Sequence, residues 1–152
     1  MATIRILLTC ALLALLGACA SAPHAQRSSE RQAAYAAAVG APVRSFRFFS
    51  LYSWEPVGDR QVAIYTRPNE AWLLDLGGGC PEISFVNAIG LTSNINQVMV
   101  GFDKVLTGRN SFPCTISQIR PVDVKSLKAT QLQQRQIKSA PRSEDKPAAV
   151  RQ

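Results

Sequence analysis

The chain has 152 residues and a formal charge of +7, from 17 Lys and Arg against 10 Asp and Glu, with 47% apolar and 18% charged residues. This suits one small folded domain with accessory segments and excludes a wholly disordered chain. Residues 41–128 carry nine basic against seven acidic side chains and residues 129–152 five against two, so the basic excess lies toward the C-terminus. No concentrated cationic face with aromatic platforms is in view, which argues against a nucleic-acid partner.

The first element is an address. Arg5 supplies a positive start and Ile6 to Leu16 an apolar run, too short to span a bilayer, where about 20 residues are needed. Small residues follow, as in an export signal. The ending Leu16-Gly17-Ala18-Cys19 resembles the lipobox of bacterial lipoproteins, in which the Cys is acylated and becomes the mature N-terminus. Cys10 is a poor rival, because the apolar run before it would be too short. The competing reading is an ordinary signal peptide cut near Ala20 or Ala22. The lipobox implies a signal peptide over 1–18, lipid attachment at Cys19 and membrane contact through acyl chains. Ala20, where an Asp would favour inner-membrane retention, implies the periplasmic face of the outer membrane.

Residues 19–42 then read as a lipidated tether with a short helix. Ala20 to Ser28 is tether-like. Glu30 to Val39 is a helix candidate, with Ser29 and Gln32 at capping-box spacing and Gly40 before Pro42 as the stop. Tyr35 and Val39 are placed to dock it. The globular domain is expected over 43–138. From Val43 the period is two, with Phe46, Phe48, Tyr52 and Trp54 on one face of an extended run. Gln61–Thr66 and Ala71–Leu76 alternate around a four-residue turn, an antiparallel hairpin. Gly77-Gly78-Gly79 reads as a flexible link. Residues 82–89 fit either a strand or a helical turn. Gln97–Phe102 and Cys114–Arg120 are strands around a 107–113 loop, and Pro121 to about Ile137 is a second helix, with Pro in its first turn. The tail 139–152 has no apolar stripe and is expected to be disordered and dispensable. The fold class is therefore α+β: an antiparallel sheet of about five strands, a short N-terminal helix and a C-terminal helix.

Several stretches together carry a resemblance: Pro56-Val57-Gly58-Asp59, Val62 to Leu76 with its Thr66-Arg67-Pro68-Asn69 turn, Cys80-Pro81, Ala88 to Ser93, Phe102-Asp103, Cys114, and Ile119 to Lys125. Over about 43–128 the chain resembles a family of small, uncharacterised proteobacterial lipoproteins, classed only as a domain of unknown function. The resemblance implies an envelope lipoprotein with Cys80 paired to Cys114, and it brings no activity, substrate or cofactor. Exclusion points the same way: of four Cys, Cys10 leaves with the signal and Cys19 is acylated, so two remain in an oxidising compartment. Closing that loop gives about 3.8 kcal/mol on the chain-entropy argument. A metal site would want further Cys or His ligands, and a redox pair would want close spacing.

Catalytic residues are hard to find. The single His, His24, sits in the tether, so Ser-His-Asp and Cys-His chemistry lacks its base. No phosphate loop or metal set appears, and no cofactor is expected. Asp59 and Asp103 read as turn caps, Asp123 as a helix-start carboxylate, and Asp75 as solvated on the strand face opposite Trp72, Leu74 and Leu76. The aromatics Phe46, Phe48, Tyr52, Trp54, Tyr65 and Trp72 read first as core and cross-strand pairs; Trp54 and Trp72 are the two expected to be partly exposed and are the candidates for surface binding. The leading expectation is a non-catalytic binding or scaffolding module contacting an envelope protein or glycan. Behind it come an accessory or inhibitor of an envelope enzyme, using the 107–113 loop, and a carboxylate hydrolase. A pocket converging on Asp59, Asp75 or Asp103 would favour the last.

Overall fold

The computed structural model describes residues 22–108 and 111–139. The expected signal peptide 1–18, Cys19 and the tail beyond Ser139 lie outside these residues, as does the side chain of His24. The described residues form eight strands and two helices: α1 (Ala22–Ala38), β1 (Ser45–Arg47), β2 (Ser53–Gly58), β3 (Gln61–Arg67), β4 (Glu70–Leu76), a 3₁₀ turn (Pro81–Ser84), β5 (Gly90–Leu91), β6 (Gln97–Met99), β7 (Lys104–Leu106), β8 (Cys114–Val122) and α2 (Val124–Ser139). The α+β class stands. Six strands pair antiparallel in the order β2-β3-β4-β8-β7-β5, and β1 pairs with β6 in a separate two-stranded layer.

The hairpin β3–β4 forms where its alternation placed it, with Val62 opposite Leu74 and Ala63 opposite Leu73. Unlike a half-solvated sheet, it is covered on both sides. Val62, Ile64, Leu74, Leu76, Ile116 and Ile119 face one core with Phe46, Ile83 and Val98. Ala63, Ala71, Leu73 and Val122 face the other, against Ala34, Tyr35 and Ala38 of α1 and Val124 and Leu127 of α2. Each buried Leu or Ile side chain contributes about 1.5–3 kcal/mol relative to exposure. Small Ala side chains on both α1 and the sheet let the helix approach closely.

The helices differ from expectation at their ends. α1 starts at Ala22, so the stretch expected to be tether is helical from there, and Ser29 is interior: its Oγ donates to the Gln26 carbonyl at 2.9 Å instead of capping. Tyr35 does dock, fully buried, while Val39 forms a bridge to Val122. Pro121 belongs to β8, paired with Trp72, and not to a helical turn. Asp123 is the cap, its Oδ1 accepting from the backbone N–H of Lys125 at 3.0 Å and Ser126 at 3.1 Å. The apolar stripe of α2 ends early, leaving Leu132 exposed.

The extended run expected from Val43 breaks after Arg47, so Phe46 and Trp54 belong to different sheets and Tyr52 is exposed. Residues 82–89 open with the 3₁₀ turn, not a strand. The strand expected over Gln97–Phe102 stops at Met99, because the Asp103 N–H donates back to the Met99 carbonyl at 3.0 Å and turns the chain. Gly78 and Gly79 have φ of +77° and +82°, so the triple glycine is a defined left-handed bend. It is held by Gly77 N–H to Thr115 O at 2.8 Å and Cys80 N–H to Asp59 O at 2.6 Å. Cys80 and Cys114 form the disulfide, with Cα atoms 5.8 Å apart.

Candidate functional site

The polar recess lies at the edge of the helix-covered face. The end of β2 (Gly58), the turn Asp59-Arg60, Gln61 of β3, Asp75 and Leu76 of β4, Gly77-Gly78, Ser117 of β8 and Gln32 of α1 enclose about 620 Å³. Register explains the convergence: Gly58 pairs with Gln61, Gln61 with Asp75, and Asp75 with Gln118, which stacks polar residues across four strands on one line. At Gly58 the Gln32 amide lies in the space a Cβ would take, so a larger residue there would push the Gln32 side chain aside.

Asp75 is half-buried rather than solvated. Arg120 Nη2 donates to its Oδ2 at 2.9 Å and its Oδ1 at 3.1 Å, and Gln61 Nε2 donates to Oδ1 at 2.5 Å. Ser117 Oγ donates to its backbone carbonyl at 3.0 Å. Asp59 lines the recess with an exposed side chain that has no protein partner among the described residues, and Arg60 beside it is likewise unpaired. The recess therefore presents one free carboxylate, one free guanidinium and neutral amide and hydroxyl groups. That set can hydrogen-bond a polar ligand. A two-carboxylate acid/base pair needs both groups available to substrate, and here Asp75 is taken up by Arg120 and Gln61.

A second polar group pins α1. The Tyr35 hydroxyl meets both Glu55 Oε1 and, at 2.7 Å, the Tyr65 hydroxyl, which donates to the same Glu55 oxygen at 3.2 Å. Burial, then the hydrogen bond to Glu55, pushes the Tyr35 hydroxyl far above its ordinary value near 10.0. Burial also raises Tyr65. Arg31 Nη1 adds a bond to the Pro56 carbonyl at 2.7 Å.

The other expected residues fall elsewhere. Asp103 is buried and structural, accepting from Thr92 Oγ1 at 2.8 Å and Met99 N–H at 2.7 Å. Trp54 and Trp72 flank Ile64 in one cross-strand row, both partly buried against the apolar core. Trp72 stacks on Phe46 at 5.0 Å with its Nε1 buried and unbonded, so neither Trp lines the recess. Among the described residues the one metal-like cluster is Cys80, Glu82 and Cys114, whose sulfurs are consumed in the disulfide. Sequence reasoning missed Gln32, Gln61 and Ser117. Gln61 opposite Asp75 was legible once the hairpin register was known; Gln32 and Ser117 depended on long-range packing.

No curated protein matches the chain, and neither does any solved structure. A family model does match, over residues 1–138, which takes in every described element but the last residue of α2. The chain therefore belongs to a family of unknown function, DUF6491.

Proposed function

We propose that the protein is an outer-membrane lipoprotein, anchored through Cys19 and facing the periplasm, whose domain is a non-catalytic binding or scaffolding module. The observation that carries the reading is how the carboxylates are used. Asp75, Asp103, Asp123 and Glu55 are each committed to holding the fold, and Asp59 stands in the recess without a second free carboxylate. The disulfide supports the oxidising compartment. The recess suits a polar partner, an envelope glycan or the polar rim of an envelope protein.

Two measurements test it. Cys19→Ala should abolish acylation and release the protein from outer-membrane fractions; acyl-dependent fractionation that survives the substitution overturns the anchor. Binding of soluble peptidoglycan fragments, followed by calorimetry, should weaken with Arg60→Ala and Ser117→Ala; fragments that bind the variants as well as the parent place recognition elsewhere. A second reading, an accessory or inhibitor of an envelope enzyme, is favoured by Phe112, which is 90% exposed two residues before Cys114. Phe112→Ala should then relieve inhibition of the partner enzyme and leave glycan binding intact. If Asp59→Asn instead abolishes hydrolysis of an envelope glycan by the purified protein, a carboxylate hydrolase replaces both readings.

A further inference from the structure

The turn between Asn94 and Gln97 combines backbone strain with exposed apolar surface. Asn94 N–H donates to Gln97 O at 3.1 Å and Gln97 N–H to Asn94 O at 3.0 Å, closing a two-residue loop. Both central residues have positive φ, Ile95 at 50° and Asn96 at 56°. Such a turn favours Asn-Gly, and a β-branched residue in its first central position is strained. Ile95 is also 89% exposed. Neither backbone preference nor core packing accounts for Ile there, and strain of this kind collects at contact sites.

The adjacent segment after β1 offers a second tip. Phe48 N–H donates to Asn96 O at 3.0 Å, which brings Phe49, also 89% exposed, beside the turn. Arg47, opposite Gln97 in the register, is exposed and has no protein partner among the described residues. Neither 41–54 nor 86–102, the segments that build this layer, contains an Asp or Glu. The tip is thus apolar at its apex with Arg47 beside it, and the acid that follows in the chain, Asp103, is buried with its carboxylate accepting from Met99 N–H.

We infer that Ile95 and Phe49 dip into the headgroup boundary of an anionic bilayer, with Arg47 at the phosphate level. Separate apolar tips flanked by cations need no matching groove in a fluid interface, and both terms favour anionic lipid. On the anchor reading given above, Cys19 lies three residues before α1. The domain is then held at the bilayer surface, so a weak contact is sufficient. The contact lays the domain down in a fixed orientation.

The test is a Phe49→Trp reporter in the full chain, carried in two arms, acylated and Cys19→Ala. Emission is read as the difference from the parent, which already holds Trp54 and Trp72. Vesicles are phosphatidylethanolamine with phosphatidylglycerol, against phosphatidylcholine alone, each with and without brominated acyl chains. The expected result is a blue shift and quenching by brominated lipid in the anionic vesicles. Arg47→Ala should weaken this contact about fivefold, the effect of one cation at an anionic surface. Ile95→Asn should weaken it while raising the thermal midpoint, because the strain is relieved. Acylated protein that floats with the vesicles while the reporter keeps its aqueous, unquenched emission overturns the proposal and leaves the anchor standing. Quenching in the Cys19→Ala arm equal to the acylated arm supports the tip and shows that it reaches the bilayer without the acyl chains. No quenching in either arm, or a discrete protein adduct from a photo-crosslinker at position 95 without vesicle quenching, overturns the tip as a lipid contact.

Discussion

The two faces of the main sheet are held by different physics. The face toward β1 and β6 is closed by large aliphatic side chains, a Phe46–Trp72 stack and the Cys80–Cys114 crosslink. The helix face is lined with Ala, and its specificity comes from polar groups: Tyr35, Tyr65 and Glu55 toward one end, Asp75, Arg120 and Gln61 toward the other. The first face is non-directional and indifferent to pH. The second is directional, so a lost partner leaves a desolvated group behind. The recess opens at the margin of this second face, lined by Gln32, Asp59, Arg60, Gln61, Asp75 and Ser117.

The largest predicted effect belongs to the first face. Replacing both Cys80 and Cys114 by Ala should cost about 3.8 kcal/mol from loop closure, lowering the melting temperature by roughly 15 °C or more. Reduction of the parent should do the same. An unchanged midpoint would show that the apolar layer closes without its crosslink.

Adjacent residues separate the faces directly. Leu73 and Leu74 are both buried but point to opposite cores. Each Leu→Ala should cost about 2–5 kcal/mol. Hydrogen exchange should quicken first in α1 and α2 for Leu73→Ala and in β1 and β6 for Leu74→Ala. The same exchange pattern from both variants would merge the two cores into one.

Tyr35→Phe comes next, at about 1–3 kcal/mol for the lost hydroxyl and the unsatisfied partner it leaves. The pH dependence has a definite sign. The Tyr35 hydroxyl is raised above 10.0 in the fold, so the folded state holds its proton more tightly than the unfolded chain. Its contribution is complete below about pH 10 and is lost as pH rises further. Chemical denaturation of the parent should show a falling alkaline limb that Tyr35→Phe flattens; an identical limb in both would remove Tyr35 as its source. The smallest effect is Asp123→Ala, about 1 kcal/mol from the lost cap, seen as fraying of the first turn of α2 in exchange.

These assignments show what was legible in the sequence. The β3–β4 hairpin was, because strict alternation and the Arg67-Pro68-Asn69 turn leave little choice. The two-sided burial was not read from it, since alternation puts Asp75 on a solvated face, although the unbroken apolar runs Val62-Ala63-Ile64 and Leu73-Leu74 are more than a half-solvated strand carries. The helix starts were misplaced because cap residues are ambiguous singly: Ser29 has capping chemistry but lies inside α1, while Pro121 fits a first turn yet belongs to a strand and Asp123 holds the cap. β5 and β7, two and three residues long, have no period to read. Asp75 as a solvated carboxylate failed for a related reason. Its face is set by alternation, but its partner Arg120 comes from a strand 45 residues away. The recess was half visible, since Asp59 and Asp75 had been singled out and Gln32 had no local signal tying it to Gly58.

The antiparallel docking of α1 and α2 has a topological consequence. Asp123 N–H bonds to the Ala38 carbonyl at one end of the pair, and Arg27, Arg31, Gln134 and Arg135 share a recess toward the other. The described chain thus enters and leaves at one pole, as a nearly closed ring. A short linker from Ser139 back to Ala22 is geometrically reasonable, and a new break at the exposed Pro68-Asn69 turn would give a circular permutant with the same sheet order. In that permutant the hairpin with the clearest sequence signal becomes a pairing between distant chain ends. Its refolding rate therefore reports how far local hairpin closure guides assembly of the sheet.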